Sequence, residues 1–164
     1  MTKTFVTADP HFSHWGVCKF LRSDGITKLR PWDDPRDMDE ELVDRWNSVV
    51  NNADRVYLLG DVCFKKSHIH ILGRLKGRIV LVKGNHDTLP INSYLPYVDD
   101  IRACVVKKGF ILTHVPIHPD SLERWGVNIH GHLHANKLRD KRYKCVSVEH
   151  TNYTPITIEE ALEL

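Results

Sequence analysis

Apolar residues recur along this chain in short runs, each broken by a small or charged residue. Thr4–Ala8, Arg55–Leu59 and Arg78–Val82 are five-residue stretches rich in β-branched and aromatic residues, the mark of buried strands. Between the first two lies a longer pattern. From Asp37 to Val50, Met38, Leu42, Trp46 and Val49 fall on one helical face. Asp37 is placed to cap that helix, with Glu40 completing a capping box. Lys65–Leu75 reads as a second helix, ended near Gly77. A β-α-β alternation of this kind predicts parallel strands in the first half.

The second half has a different rhythm. Cys104–Val106 and Phe110–Thr113 flank Lys107-Lys108-Gly109, which reads as a hairpin turn. Val127–His130 and Lys144–Val148 are further strand candidates. Thr157–Leu164 fits a short terminal helix, with Thr157 as cap and Glu160 opposite it. Together these elements predict an α/β fold in which two sheets pack together with helices outside. Phe12–Arg36 is rich in Pro, Asp and Arg and has weak periodicity. It is either a functional loop that shapes a pocket or a surface excursion with a short helix near Gly16–Leu21.

Length and charge narrow the picture further. At 164 residues, one domain spanning the chain is expected. The net charge of +2 gives no electrostatic argument for nucleic acid. No apolar run approaches the length of a membrane span, and Phe5–Ala8 is too short for the apolar core of a signal peptide. Cys18, Cys63, Cys104 and Cys145 are widely spaced and form no metal-binding pair, so a reduced, cytoplasmic protein is expected.

The chemistry is concentrated where the strands stop. Asp9-Pro10-His11 follows the first strand, Gly60-Asp61 the second, and Gly84-Asn85-His86-Asp87 the third. His114 follows the Phe110 strand, and His132-Leu133-His134 comes just after Val127–His130. Open α/β sheets place their ligands at these ends. Residues two apart on an extended segment point to one side, so Asp9 with His11, and His132 with His134, can each share an ion. Asp61 can bridge a pair of ions, Asn85 adds a neutral oxygen, and His114 adds an imidazole. Oxygen and imidazole donors together suit zinc, iron or manganese. Two carboxylates facing two divalent ions would leave the site positive, which suits a phosphate anion.

This series of five motifs, spread from residue 9 to residue 134, resembles the calcineurin-like metallophosphoesterases, in particular their small bacterial and bacteriophage members without a cap domain. The resemblance implies a four-layer α-β-β-α sandwich of two mixed sheets flanked by helices. It implies that Asp9, His11 and His134 hold one ion, that Asn85, His114 and His132 hold a second, and that Asp61 bridges them. His86 would contact the phosphoryl group and assist the leaving group, and Asp87 would orient His86. Asn85, His86 and His14 are the candidate substrate contacts; His14 is otherwise an ordinary loop histidine. The implied cofactors are two divalent ions, manganese foremost, with iron, zinc, nickel or cobalt as alternatives. The implied activity is hydrolysis of a small phosphoester or nucleotide, a phosphodiester first and a monoester second, through a water or hydroxide between the ions. A nuclease would be expected to use a basic track, for which Lys137, Arg139, Lys141, Arg142 and Lys144 are the available residues. A non-catalytic binding protein of this fold should lack a ligand or the histidine at 86, and here each is present.

Overall fold

A computed structural model describes residues 2–164. The first sheet contains β4-β3-β2-β1-β9, formed by Asp100–Arg102, Arg78–Val82, Arg55–Leu58, Thr4–Thr7 and Ile156–Thr157. Strands β1 to β4 are mutually parallel and β9 runs antiparallel to β1. The second sheet is β5-β6-β7-β8, formed by Val105–Lys107, Phe110–Thr113, Val127–His130 and Tyr143–Cys145. There β5 and β6 form the expected hairpin, while β6, β7 and β8 are parallel. The fold is an α/β sandwich of two mixed sheets with helices outside.

Each layer follows from side-chain pattern. Helix α1, Pro35–Val49, buries Met38, Leu42, Val43 and Trp46. These pack with Phe5, Val56, Leu58, Ile79 and Leu81 on the outer face of the first sheet. The alternate strand positions, Val6, Ala8, Tyr57, Leu59 and Val82, face the other way and meet Leu112 and Ile129 of the second sheet. A strand's period of two makes this division, and it explains why these runs are apolar almost without interruption: both faces are covered. Helix α3, Ile158–Glu163, packs on β1 and β7 and adds Ile158 and Ala161 to the inter-sheet core. On the second sheet the helical layer is thin; the four-residue α2, Leu122–Trp125, packs against β7.

Several boundaries differ from the sequence expectation. Helix α1 starts at Pro35, capped by Asp34, whose side chain accepts from the Arg36 amide. Proline at the first helical position is favoured because its missing N–H has no partner there anyway. Glu40 therefore lies inside the helix and pairs with Arg74 at 2.6 Å rather than closing a box with Asp37. Lys66–Arg74 is a 3-10 helix rather than an α-helix. β-branched Ile69 and Ile71 and then Gly73 weaken the α form, and the tighter coil still buries Ile69, Ile71 and Leu72. The hairpin turn is Lys108-Gly109, with Lys107 paired to Phe110. Strand β8 ends at Cys145, and Val148–His150 is a 3-10 turn. No helix forms near Gly16–Leu21; the 12–36 excursion carries a single antiparallel bridge, Leu21 to Lys28. The terminal helix has the expected cap, with Thr157 and Glu160 bonding reciprocally. No described helix is long and apolar enough to cross a membrane.

Candidate metal centre

The parallel strands deliver the motif loops to one end of the sandwich. Two groups of side chains converge there: Asp9, His11 and His134 form one, and Asp61, His114 and His132 the other, each with donor atoms within 4.8 Å of one another. These two clusters could hold metal ions. The two groups adjoin, since His11 Nε2 and His114 Nε2 each lie 3.5 Å from an oxygen of Asp61. Asn85 belongs to the second group. Its amide oxygen is 2.8 Å from His114 Nε2 and 2.9 Å from His132 Nδ1.

The backbone here is under unusual constraint. Asp9, His11, Asp61, His132 and His134 all have left-handed φ, between +48° and +70°. That conformation costs an L-residue roughly 1–2 kcal/mol, and clustered strain of this kind marks ligand sites. Glycines make room around it. A Cβ at Gly84 would stand 2.2 Å from Asp61 Oδ1, one at Gly60 2.3 Å from the Gly84 amide nitrogen, and one at Gly131 2.6 Å from Asp9 Oδ2.

Hydrogen bonding shows what the clusters are suited to hold. His114 Nδ1 lies 2.7 Å from the Leu59 carbonyl, which can only accept, so this ring nitrogen is the donor and a neutral ring turns its Nε2 lone pair into the site. In that form Nε2 and the Asn85 oxygen 2.8 Å away are two acceptors aimed at the same point. Asp9 Oδ1 and both His11 ring nitrogens are buried without a partner. Acceptors converging without donors between them fit a cation. Protonation agrees. Burial, aided by the Arg30 charge, drives the His11 pKa well below its usual range. Burial and neighbouring His114 lower His132. Burial and Arg30 lower His14. Neutral imidazoles are what a metal needs. Burial lifts the Asp9 carboxyl to about 6 against the pull of His114 and His134.

A supporting layer lies behind. Asp9 Oδ2 accepts from the Ser147 hydroxyl at 2.7 Å and from the His132 amide at 2.8 Å. His134 Nδ1 is 3.2 Å from Glu149 Oε1, and Glu149 forms a fully buried ion pair with Arg30 at 2.9 Å. Arg30 also donates to the carbonyls of Asp9 and Pro10. Burial alone would lower the His134 pKa, but the bond and charge of Glu149 outweigh it and raise it. Glu149 is held down to about 2: the Arg30 charge and the His134 bond overcome its burial.

No protein-family model matches the chain. An uncharacterized protein of Methanocaldococcus jannaschii, MJ1445, is 31% identical over 175 residues, covering 100% of this chain and 92% of its own. The chain belongs to the MJ1445 family. The gene 66 protein of Mycobacterium phage L5 is similar over a shorter region, 36% identical over 92 residues, which is 53% of this chain and 41% of the phage protein. The crystal structure of AQ665, a protein of unknown function from Aquifex aeolicus, superposes with a TM-score of 0.70 at 25% identity and covers 98% of this chain and 97% of its own.

In this member of the MJ1445 family, one expected contact is replaced by others. Asp87 does not touch the His86 ring. Its buried oxygens accept from the amides of Asp61, Val62 and Gly84 at 2.8–2.9 Å, so it ties the second and third motif loops together. Burial raises its pKa, partly offset by those three bonds. His86 itself is exposed beside the site, with its ring 5.9 Å from His11 and 4.7 Å from Phe64. His14 lies on the same side, 5.7 Å from His11 and 4.3 Å from Phe64.

Phe64, Arg30 and Glu149 are the residues that sequence reasoning missed or left without a role. Phe64 sits among the rings of His11, His14 and His86. Its place three residues after Asp61 was the available signal. The 12–36 excursion does reach the site. Phe20, Leu21, Arg22 and Leu29 face His132, Leu133 and His134 across a groove of about 410 Å³. The basic stretch after the last motif is partly self-neutralised, with Arg142 paired to Asp140 and Glu123.

Proposed function

We propose that this protein is a phosphoester hydrolase that uses two divalent metal ions, and that it acts on phosphodiesters before monoesters. The observation that carries the reading is the pair of adjoining Asp/His clusters at the strand ends, with Asp61 between them and Asp9 Oδ1 and both His11 ring nitrogens buried without a hydrogen-bond partner. Asp9, His11 and His134 would hold one ion; Asn85, His114 and His132 the other; Asp61 would serve both. Ions at such a pair supply charge to phosphoryl oxygens and make water a usable nucleophile near neutral pH. Manganese is the first candidate because the set is oxygen and imidazole with no thiolate.

The chain's own groups supply the rest. His86 stands at the exposed rim, outside both clusters, where an imidazole can donate a proton to a departing oxygen. Phe64 packs beside the rings of both His86 and His14, which places the two on the same side of His11. Asp87 fixes the loops that carry Asp61 and Asn85. The groove beside His132 and His134 is open, which leaves space for the second ester arm of a diester.

The test is hydrolysis of bis(p-nitrophenyl) phosphate and of p-nitrophenyl phosphate by manganese-loaded protein, with and without chelator. The expected result is metal-dependent turnover, faster on the diester. Faster turnover of the monoester would favour a phosphatase instead, and no turnover of either would remove the assignment.

A further inference from the structure

We propose that the opening between β4 and β5 is a second binding site, for a phosphate chain carried by a nucleotide or present as inorganic polyphosphate. The two sheets close on each other at the β9 side, where α3 adds Ile158 and Ala161 to the inter-sheet core. On the opposite side β4 and β5 are both edge strands, and between them lies a cavity of about 530 Å³. This is the size of hollow that takes a small molecule rather than a protein segment. It is lined by Arg55, Arg78, Arg102 and Lys107.

The placement of the arginines is the central observation. Arg55 and Arg78 are the first residues of β2 and β3 and stand directly opposite each other in the parallel register. Adjacent strands lie about 4.8 Å apart, and like charges placed opposite each other destabilise a sheet. Each is two residues before an inward-facing position, Tyr57 and Val80, so both side chains lie on the inter-sheet face. Among the described residues, Arg55, Arg78 and Lys107 have no acidic partner within ion-pair distance, and Arg78 donates one bond, to the Ala53 carbonyl at 3.2 Å. Arg102 is already paired with Asp100 at 2.6 Å. The acidic lining residue left over, Asp99, is exposed at the rim.

An anion with several charges relieves this repulsion. Guanidinium forks match phosphate oxygens two at a time, and a chain of phosphates can reach both arginines and Lys107 together. The floor is Tyr57, Val80 and Val105, a surface against which a base can lie. The site is remote from the Asp/His clusters: β2 starts at Arg55, six residues before Asp61, or about 20 Å of extended strand. The inference therefore does not depend on what the clusters bind.

Calorimetric titration of chelator-treated protein with sodium tripolyphosphate and with ATP is the test, since chelation removes metal-mediated binding at the clusters. The expected result is saturable binding that weakens at least about tenfold in the folded Arg55→Glu/Arg78→Glu variant, through loss of charge-assisted bonds. Arg55→Lys/Arg78→Lys should lose less, because charge remains without the fork. Lys137→Glu/Lys141→Glu, in the basic stretch after the last motif, should bind as the wild type does. Tighter binding of ATP assigns the site to nucleotides, and equal binding assigns it to inorganic chains. Absence of binding, an unchanged affinity in the arginine-to-glutamate variant, or an equal loss in the lysine variant would overturn the proposal.

Discussion

Asp9, His11 and His134 sit in front of a buried ion pair, whereas Asn85, His114 and His132 are held largely by one another. In the first group Arg30 grips the Asp9 and Pro10 carbonyls, Glu149 steadies His134, and Ser147 occupies the outer oxygen of Asp9. In the second, only His114 is anchored from behind, by the Leu59 carbonyl, and Asn85 is exposed. The difference teaches that donor type does not set how firmly a site is built. Partners behind the ligands fix ring orientation and commonly change metal affinity by about 10–100-fold. The first cluster is accordingly expected to bind its ion more tightly, and the second to be the adaptable half that meets substrate.

The largest effect should come from the residue shared by both halves. Asp61→Ala removes a charge from each cluster, and turnover of a diester should disappear, with both ions lost in metal analysis. Retention of either ion at wild-type affinity would break the claim that Asp61 serves both.

Next comes His86, which belongs to neither half. His86→Ala should keep metal yet slow catalysis on the order of 10²–10⁴-fold if it acts as a general acid. A diester with an acidic phenol leaving group should suffer least, and a nucleotide diester with an alkoxide leaving group most. Equal losses on the two substrates would reduce His86 to a phosphate-positioning group, and loss of metal would place it among the ligands.

Glu149→Gln sharpens the comparison itself. It keeps the shape of the side chain but removes the charge that faces Arg30 and His134. The first ion should bind about 10–100-fold more weakly, while the second is little affected. Competition titration with a chelating dye resolves the two steps. Equal weakening of both ions would mean that Glu149 supports the fold rather than one cluster.

The smallest effect concerns stability in acid. His130 is fully buried on β7, and burial lowers its pKa from 6.5 to about 4. Between those values the unfolded imidazole binds a proton that the folded one does not. Stability therefore falls as pH drops from 6.5 to 4, by on the order of 3 kcal/mol for this group. Urea unfolding of chelator-treated protein at pH 7 and pH 4.5 should show the fall, and His130→Asn should flatten it. An unchanged pH dependence in the variant would assign the loss to other groups.

The sequence carried the clusters because ligand chemistry is rare and was attached to strand ends that β-branched runs made visible. Asp9, His11, Asp61, Asn85, His114, His132 and His134 needed only the alternation of strand and loop to be placed together. The support behind them was not legible. Arg30 and Glu149 are 119 residues apart and are of types that normally face water, so nothing local marks them as a buried pair. The resemblance implies Asp87 as the partner of His86, but its short side chain turns to three amides of its own loop and the one beside it. Strands β4 and β9, three and two residues long, are too short for a pattern to emerge. Arg55 and Arg78 open recognisable strands, yet only the register shows that they stand side by side.

The most direct test of the two-metal reading is to add manganese to chelator-treated protein while following hydrolysis of an aryl phosphodiester and the amount of metal bound. The account predicts no turnover at the start and a rate that rises to its maximum as two ions per chain are taken up. Full turnover in excess chelator, saturation at a single ion, or an inert protein with both ions bound would contradict it.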